Sequence, residues 1–175
     1  VRPGALDYRF PPGKTLEGLL DRLRGNDWWG QVVGPHGTGK STLLAKLIRA
    51  VEAQGKPTRL VELHDRPRGL PGGLRRLHDL RPGTLVVVDG YEQLSWLNKV
   101  RLRRYCLANN LGLLVTTHAS LGFPDLCRTT TSLETLRGLA DSLLGISCED
   151  ASHEGLVSPD ELAACFARHE GNLRE

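Results

Sequence analysis

Eight consecutive residues, Gly34, Pro35, His36, Gly37, Thr38, Gly39, Lys40 and Ser41, follow the spacing G-x-x-x-x-G-K-S/T. Glycines at these positions let backbone N–H groups turn inward around an anion. A helix starting at the lysine adds its positive end, and Lys40 sets a cation toward the β- and γ-oxygens of a nucleotide. Ser41 would place its hydroxyl on Mg²⁺, and Thr42 continues the same turn. A second group follows at Leu85-Val86-Val87-Val88-Asp89, where four apolar residues deliver a carboxylate to the end of a strand, the place where open α/β sheets bind ligands. Asp89 suits the shell of Mg²⁺. Glu92, three residues on, suits either a helix cap or a base that polarises water. The third group is Leu113-Leu114-Val115-Thr116-Thr117-His118, an apolar strand with a polar end. Thr117 and His118 are the candidates for sensing a γ-phosphate or orienting water, with Thr116 as fallback because side chains alternate along a strand. Ordinary polar strand-end residues and a surface histidine remain the plain alternative.

Elements able to position these groups are visible in the hydrophobic pattern. Short apolar or β-branched runs bounded by turn residues predict strands at 30–33, 58–63, 85–88 and 111–116, with a weaker one at 126–130. Leu43, Leu44, Leu47, Ile48 and Val51 share one helical face, while Leu94, Leu97, Val100, Leu102 and Tyr105 line another less regularly. Leu16, Leu19, Leu20 and Leu23 predict a short amphipathic helix ahead of the first strand. Strand and helix alternate, so the expected fold class is α/β: a mainly parallel sheet with helices on both faces, in which 85–88 is buried on both sides. After the fifth strand the pattern is helical. Leu133, Leu136, Leu139, Ala140, Leu143 and Leu144 keep helical spacing, and Ser158-Pro159 has the form of an N-cap followed by Pro at the first helical position. Trp96 is expected in the core. Trp28 and Trp29 are expected to pack the N-terminal helix, with a flank of an adenine pocket as the alternative.

Composition narrows the class of partner. The 175 residues carry 23 Lys and Arg against 20 Asp and Glu, a net charge of +3 that does not by itself imply wholesale nucleic-acid binding. The charge is uneven: residues 66–104 hold nine cations against three acids, and residues 145–175 hold seven acids against two arginines. The basic middle is read as a solvated surface, with phosphate contact as the weaker reading. No apolar run approaches the roughly 20 residues needed to cross a bilayer, and the N-terminus lacks a secretory pattern, so a soluble cytoplasmic protein is expected. Cys106, Cys127, Cys148 and Cys165 form no close pair suited to zinc or redox chemistry and are expected as buried thiols.

The three motifs resemble the phosphate loop, magnesium-binding strand and sensor strand of P-loop NTPases, in the ASCE branch with an additional strand inserted between the first two, as in AAA+ ATPases. The motif order agrees, with the run 58–63 intervening between the loop and Asp89. Asp89-Gly90-Tyr91-Glu92 is similar to the Asp-x-aromatic-Glu variant of AAA-related signalling ATPases and departs from the usual adjacent Asp-Glu. Residues 126–136 resemble the last core strand leading into a lid, and Glu170-Gly171-Asn172-Leu173-Arg174 resembles the second sensor, so Arg174 would reach the nucleotide from that lid. The resemblance implies a three-layer fold with a five-stranded sheet, an α/β core over 1–130, and a helical lid-like segment over 131–175 that is expected to be incomplete. It implies ATP and Mg²⁺ as ligands. No arginine lies between His118 and Leu126 to serve as a ring finger, Arg128 is read as structural, and Asn98-Lys99-Val100-Arg101 fails the GTPase pattern at its last position. ATP is therefore the expected nucleotide.

Three functions remain open at this point. The first is a slow ATP-hydrolysing switch or regulatory ATPase with Lys40, Glu92, Thr117, His118 and Arg174 in its chemistry. The second is a small-molecule or nucleotide kinase, with Asp65 as base and Arg66, Arg68, Arg75 and Arg76 holding an anionic acceptor. The third is a nucleotide-binding module without turnover, engaging a protein, or less readily nucleic acid, through the helical tail or the basic middle.

Overall fold

A computed structural model describes residues 8, 10, 11, 13–63, 70 and 73–130. The chain divides into two compact units, Val1–Gly34 with Lys40–Arg128, and Pro35–Gly39 with Thr129–Glu175. The first unit holds the sheet. Its elements in chain order are α1 (Leu16–Gly25), β1 (Trp29–Val33), α2 (Lys40–Ala53), β2 (Thr58–Glu62), β3 (Leu85–Asp89), α3 (Trp96–Ala108), β4 (Gly112–Thr117) and β5 (Asp125–Arg128). Short 3₁₀ turns occupy Leu74–Leu77 and Tyr91–Gln93.

The five strands lie in the order β2-β3-β4-β1-β5, and every neighbouring pair is parallel. The run after the phosphate loop, expected at 58–63, is the outer strand β2; the strand that lies between β1 and β3 is β4. Because side chains alternate across a strand, the apolar strands feed two cores. Val32, Leu85, Val87 and Leu114 pack with Leu19, Leu20 and Leu23 of α1 and Leu43, Leu44, Leu47 and Val51 of α2. On the other face Val86, Val88, Leu113 and Val115 pack with Leu102 and Cys106 of α3. The expected three-layer α/β architecture is the one observed, and β3, 0% exposed from Leu85 to Val88, is the doubly covered strand its composition implied.

The starts of α1 and α3 have local causes. Thr15 caps α1, its hydroxyl accepting from the Gly18 N–H, and Ser95 caps α3 by accepting from the Asn98 N–H. In α3 the core-facing pair is Leu102 and Cys106, one turn apart. Trp96 stands about 240° around the helix from Leu102 at 3.6 residues per turn. It is 73% exposed, so the expectation that Trp96 is a core residue is corrected, and Leu97 at 57% exposed faces outward too. Trp28 packs on the α1–α2 core, with the Lys56 ammonium over its ring, and Trp29 stacks on Phe123. Cys106 and Cys127 are buried free thiols, and burial pushes the Cys106 thiol up to about 12. Cys148 and Cys165 lie outside the described residues. Among the described residues no helix is long and apolar enough to cross a membrane.

Gln31, 0% exposed in the middle of β1, was not anticipated as a polar anchor. The two N–H groups of its amide are shared among Ser120 Oγ, the Phe123 carbonyl and Asp125 Oδ1, all within 3.0 Å of Nε2, and its Oε1 accepts from the Leu121 N–H. These bonds fasten the β4–β5 connection to the sheet interior. Arg128 donates twice to Asp125 Oδ2, at 2.8 and 3.0 Å, which fits its structural reading.

Two measurements test this packing. Leu114→Ala should lower unfolding free energy by about 2–5 kcal/mol in urea titration, whereas Leu97→Ala should change it by no more than about 0.5 kcal/mol; equal effects would mean α3 is rotated from the arrangement described. Hydrogen bonds from Arg128 hold the Asp125 carboxyl below its ordinary range, with Gln31 and Ser120 adding to them. A carboxyl depressed in the folded state contributes stability above its unfolded value of about 3.9, and that contribution is lost as pH falls through the folded value. Asp125→Asn should therefore shrink the stability difference between about pH 7 and about pH 3 relative to the parent chain.

Candidate active site

Parallel pairing ends β1, β3 and β4 along one edge of the sheet. Val33 stands opposite Thr117, and Val88 opposite Val115, so the residues following Val88 and Val115, Asp89 and Thr116, are brought side by side. Thr116 Oγ1 donates to Asp89 Oδ1 at 2.6 Å and accepts from the Gly90 N–H at 2.8 Å. Both capacities of this fully buried hydroxyl are thus used on the Asp89 turn. Thr116, the fallback sensor, is a positioning residue for the carboxylate. Asp89 Oδ2 has no protein partner among the described residues.

The turn after β3 is tightly pinned. Gly90 has φ +85°, and a Cβ there would come within 2.9 Å of the Leu63 carbonyl oxygen, so no other residue fits without shifting the backbone. Leu63 N–H donates to the Asp89 carbonyl, and Gln93 Nε2 donates to the Leu63 carbonyl at 2.8 Å. Lys99 Nζ donates to the Glu92 carbonyl at 3.1 Å. Held this way, the Glu92 side chain does not cap α3, whose cap is Ser95. Its Oε1 lies 3.2 Å from His118 Nε2, the two side chains being 24% and 33% exposed. Glu92 Oε2 is buried with no hydrogen-bond partner, and so is Thr117 Oγ1. They are the two such side-chain atoms among the described residues, and each carries a cost of about 1–3 kcal/mol in an otherwise satisfied interior.

Lys40 opens α2 and is nearly buried; its Nζ donates to the Gly34 carbonyl at 2.7 Å, just past the end of β1. Gly34 N–H in turn donates to the Thr117 carbonyl at 3.0 Å. Ser41 and Thr42 follow, half-buried, in the first turn of the helix. In the second unit, Gly37 and Gly39 have φ of +73° and +80°, the left-handed backbone that the motif's glycines permit. Thr38 Oγ1 donates to the Pro35 carbonyl at 2.9 Å and lies 2.6 Å from Thr129 Oγ1. With the Thr38 proton used on Pro35, Thr129 is the donor of that second bond. Pro35 and His36 are exposed.

The sequence-predicted residues of the first unit, Gly34, Lys40, Asp89, Glu92, Thr117 and His118, thus lie on strand ends or turns at the carboxyl edge of the sheet or at the start of α2. Arg174, and Asp65, Arg66 and Arg68 of the kinase reading, lie outside the described residues; Arg75 is exposed on the first 3₁₀ turn. What sequence reasoning missed was the hold of Thr116 on the Asp89 turn. Only the pairing register of β3 and β4 would have revealed it.

No protein-family model matches the chain, and no curated protein matches it. Among solved structures the chain is similar to the Thermotoga maritima RuvB Holliday junction branch migration motor, with TM-score 0.55 and 17% identity, over 91% of this chain and 56% of that one. A point variant of the same motor gives TM-score 0.54 at 16% identity, again over 91% and 56%. The chain therefore spans a little over half the length of these motors. The likeness is one of fold: a five-stranded, all-parallel α/β sheet with helices, shared with these motors.

Thr116→Val removes the donor to Asp89 and strands the buried Gly90 N–H. It should cost about 1–3 kcal/mol in urea titration, with Thr116→Ser recovering most of the loss. A Val variant as stable as the parent would show that the hydroxyl does not hold the turn.

Proposed function

We propose that the chain binds MgATP and hydrolyses it slowly, as a switch or regulatory ATPase. The observation that carries this reading, in a chain whose sequence holds a complete phosphate-loop motif, is a carboxylate, Glu92, that faces His118 and keeps one oxygen buried and unsatisfied. Residues Gly34 to Thr42 would take the nucleotide phosphates, with Lys40 as the fixed cation. Its present bond to the Gly34 carbonyl is one that a phosphate oxygen, as a charged acceptor, would outcompete.

The donor set suits a hard cation. Asp89 offers Oδ2 while Thr116 occupies Oδ1, and Ser41 adds a hydroxyl. Mg²⁺ keeps several waters and takes one or two protein oxygens beside substrate phosphates, a set that Asp89 and Ser41 would be sufficient to supply. Bound there by Ser41 and Asp89, Mg²⁺ would neutralise charge on the phosphate oxygens.

The protein's own part in hydrolysis is positioning. Glu92 Oε2 would accept a proton of the attacking water, an acceptor bond that the folded chain leaves unmade. His118, on Oε1, fixes the plane of that carboxylate. Thr117 Oγ1 has a donor to spend on a γ-phosphate oxygen or on the water. Turnover is slow in this reading because the described residues supply no arginine finger between His118 and Leu126 to stabilise the transition state. Arg174 is proposed to approach the nucleotide from the tail.

Calorimetry with ATP and Mg²⁺, paired with phosphate release on the same samples, separates binding from turnover. Lys40→Ala should weaken MgATP binding by about tenfold or more. Glu92→Gln should keep binding and lower phosphate release by about 10²- to 10⁴-fold. Binding without release in the parent chain would remove the hydrolytic part of the reading, and release that depends on an added acceptor would replace it with phosphoryl transfer. Absence of any nucleotide binding would defeat it altogether.

A further inference from the structure

Helix α3 carries Lys99, Arg101, Arg103 and Arg104 and not one acidic residue. Two exposed arginines elsewhere in the same unit are paired with acids, Arg24 with Asp21 and Arg128 with Asp125, both at 2.8 Å. On α3 the two inner cations rest on neutral groups. Lys99 Nζ lies on the Glu92 carbonyl and 5.7 Å from the Tyr91 ring centre, and the Arg103 guanidinium lies 4.6 Å over Phe123. Glu92, in the adjoining turn, directs its carboxylate to His118. Between these cations runs an open groove of about 340 Å³ lined by Tyr91, Trp96, Lys99, Val100, Arg103 and Leu121. At its rim Trp96 is 73% exposed, and Leu97 beside it is 57% exposed. A large exposed indole on a helix whose other face already fills the core is a feature of contact surfaces.

We propose that this groove docks a segment of a partner protein in which an aromatic or branched apolar side chain is flanked by aspartate or glutamate. The apolar side chain enters between Trp96, Val100 and Leu121, and the flanking carboxylates pair with Lys99 and Arg103, which line the groove and rest on neutral groups among the described residues. The floor distinguishes this occupant from nucleic acid. A strand of phosphates is tracked by cations spaced along a path with aromatic faces for the bases; here both cations are folded onto the groove itself and its walls are aliphatic as well as aromatic. Pairing charges partly shielded from solvent beside an apolar anchor gives orientation and specificity as well as affinity.

A displayed library of random short peptides, panned on the 175-residue chain and followed by fluorescence anisotropy of the enriched peptides, tests the assignment. Enriched peptides should combine acidic residues with one aromatic or branched apolar residue. Their affinity should fall about tenfold or more in Trp96→Ala and in Arg103→Glu, decline with added salt, and stay unchanged in Leu107→Ser, a control at an exposed position of α3 outside the groove. Melting curves superimposable on the parent's keep the losses attributable to the surface. Enrichment of peptides without acids, equal binding by Trp96→Ala, or no enrichment would overturn the proposal. So would an oligothymidylate strand that binds more tightly than the peptides and is lost in the same variants, which would give the surface to nucleic acid, or concentration-dependent dimers abolished by Trp96→Ala, which would give it to a second copy.

Discussion

The parallel alignment of β3, β4 and β1 is the constraint on which the rest of this molecule depends. Three apolar strands run side by side in the same direction, so their polar ends must emerge together. Burial on both faces disfavours polar side chains before the strand ends unless, like Gln31, they are hydrogen-bonded internally, and the polar ends of β3 and β4, Asp89, Thr116 and Thr117, are therefore brought to one edge. The Thr116 hydroxyl then converts adjacency into geometry by holding Asp89 and the Gly90 N–H at once. An antiparallel arrangement would have sent these ends to opposite edges. The chemistry of the site is thus an outcome of topology before it is an outcome of side-chain choice.

The same logic explains what was readable in advance. Strands and helices were legible because their hydrophobic periods differ, and the edges of the runs fell within a residue or two of the observed strands, as with 85–88 against Leu85–Asp89. The phosphate loop was legible because its chemistry requires a contiguous spacing. What the sequence did not contain was register. Alternation says that Thr116 and Thr117 point to opposite faces, but only pairing with β3 decides which of them meets Asp89. Gln31 is a similar case: a lone polar residue in an apolar strand shows nothing of the four groups that satisfy it from the β4–β5 connection. Trp96 failed for a different reason. Its size suggested burial, but Ser95 fixes where the helix begins, and the stripe set by Leu102 and Cys106 then turns the indole outward.

Energetically the site is the least satisfied part of an otherwise satisfied unit. The two cores carry the stability, while Glu92 Oε2 and Thr117 Oγ1 are buried without partners. A protein that only needed to fold would be more stable with apolar groups of the same shape at both places. One belongs to the carboxylate that faces His118 and the other to the last residue of β4, and under the proposed function a ligand would supply the missing bonds.

Lys99 and Tyr91 give the groove and the Glu92 carboxylate a shared support. Tyr91 lines the groove and Glu92 is the next residue of the same 3₁₀ turn, while Lys99 lines the groove and bonds the Glu92 carbonyl. Coupling between two such places is limited by how differently an occupant contacts the alternative positions of the shared groups. An occupant that meets only Trp96, Val100 and Leu121 leaves the turn as it is and has no means of influencing Glu92, however tightly it binds. One that takes Lys99 for its own carboxylate removes a bond that holds the Glu92 main chain, and its effect reaches the His118 pair through a single residue. The distinction lies in one ammonium group. It makes the charge of an occupant, rather than its apolar fit, the property through which the two regions are able to communicate.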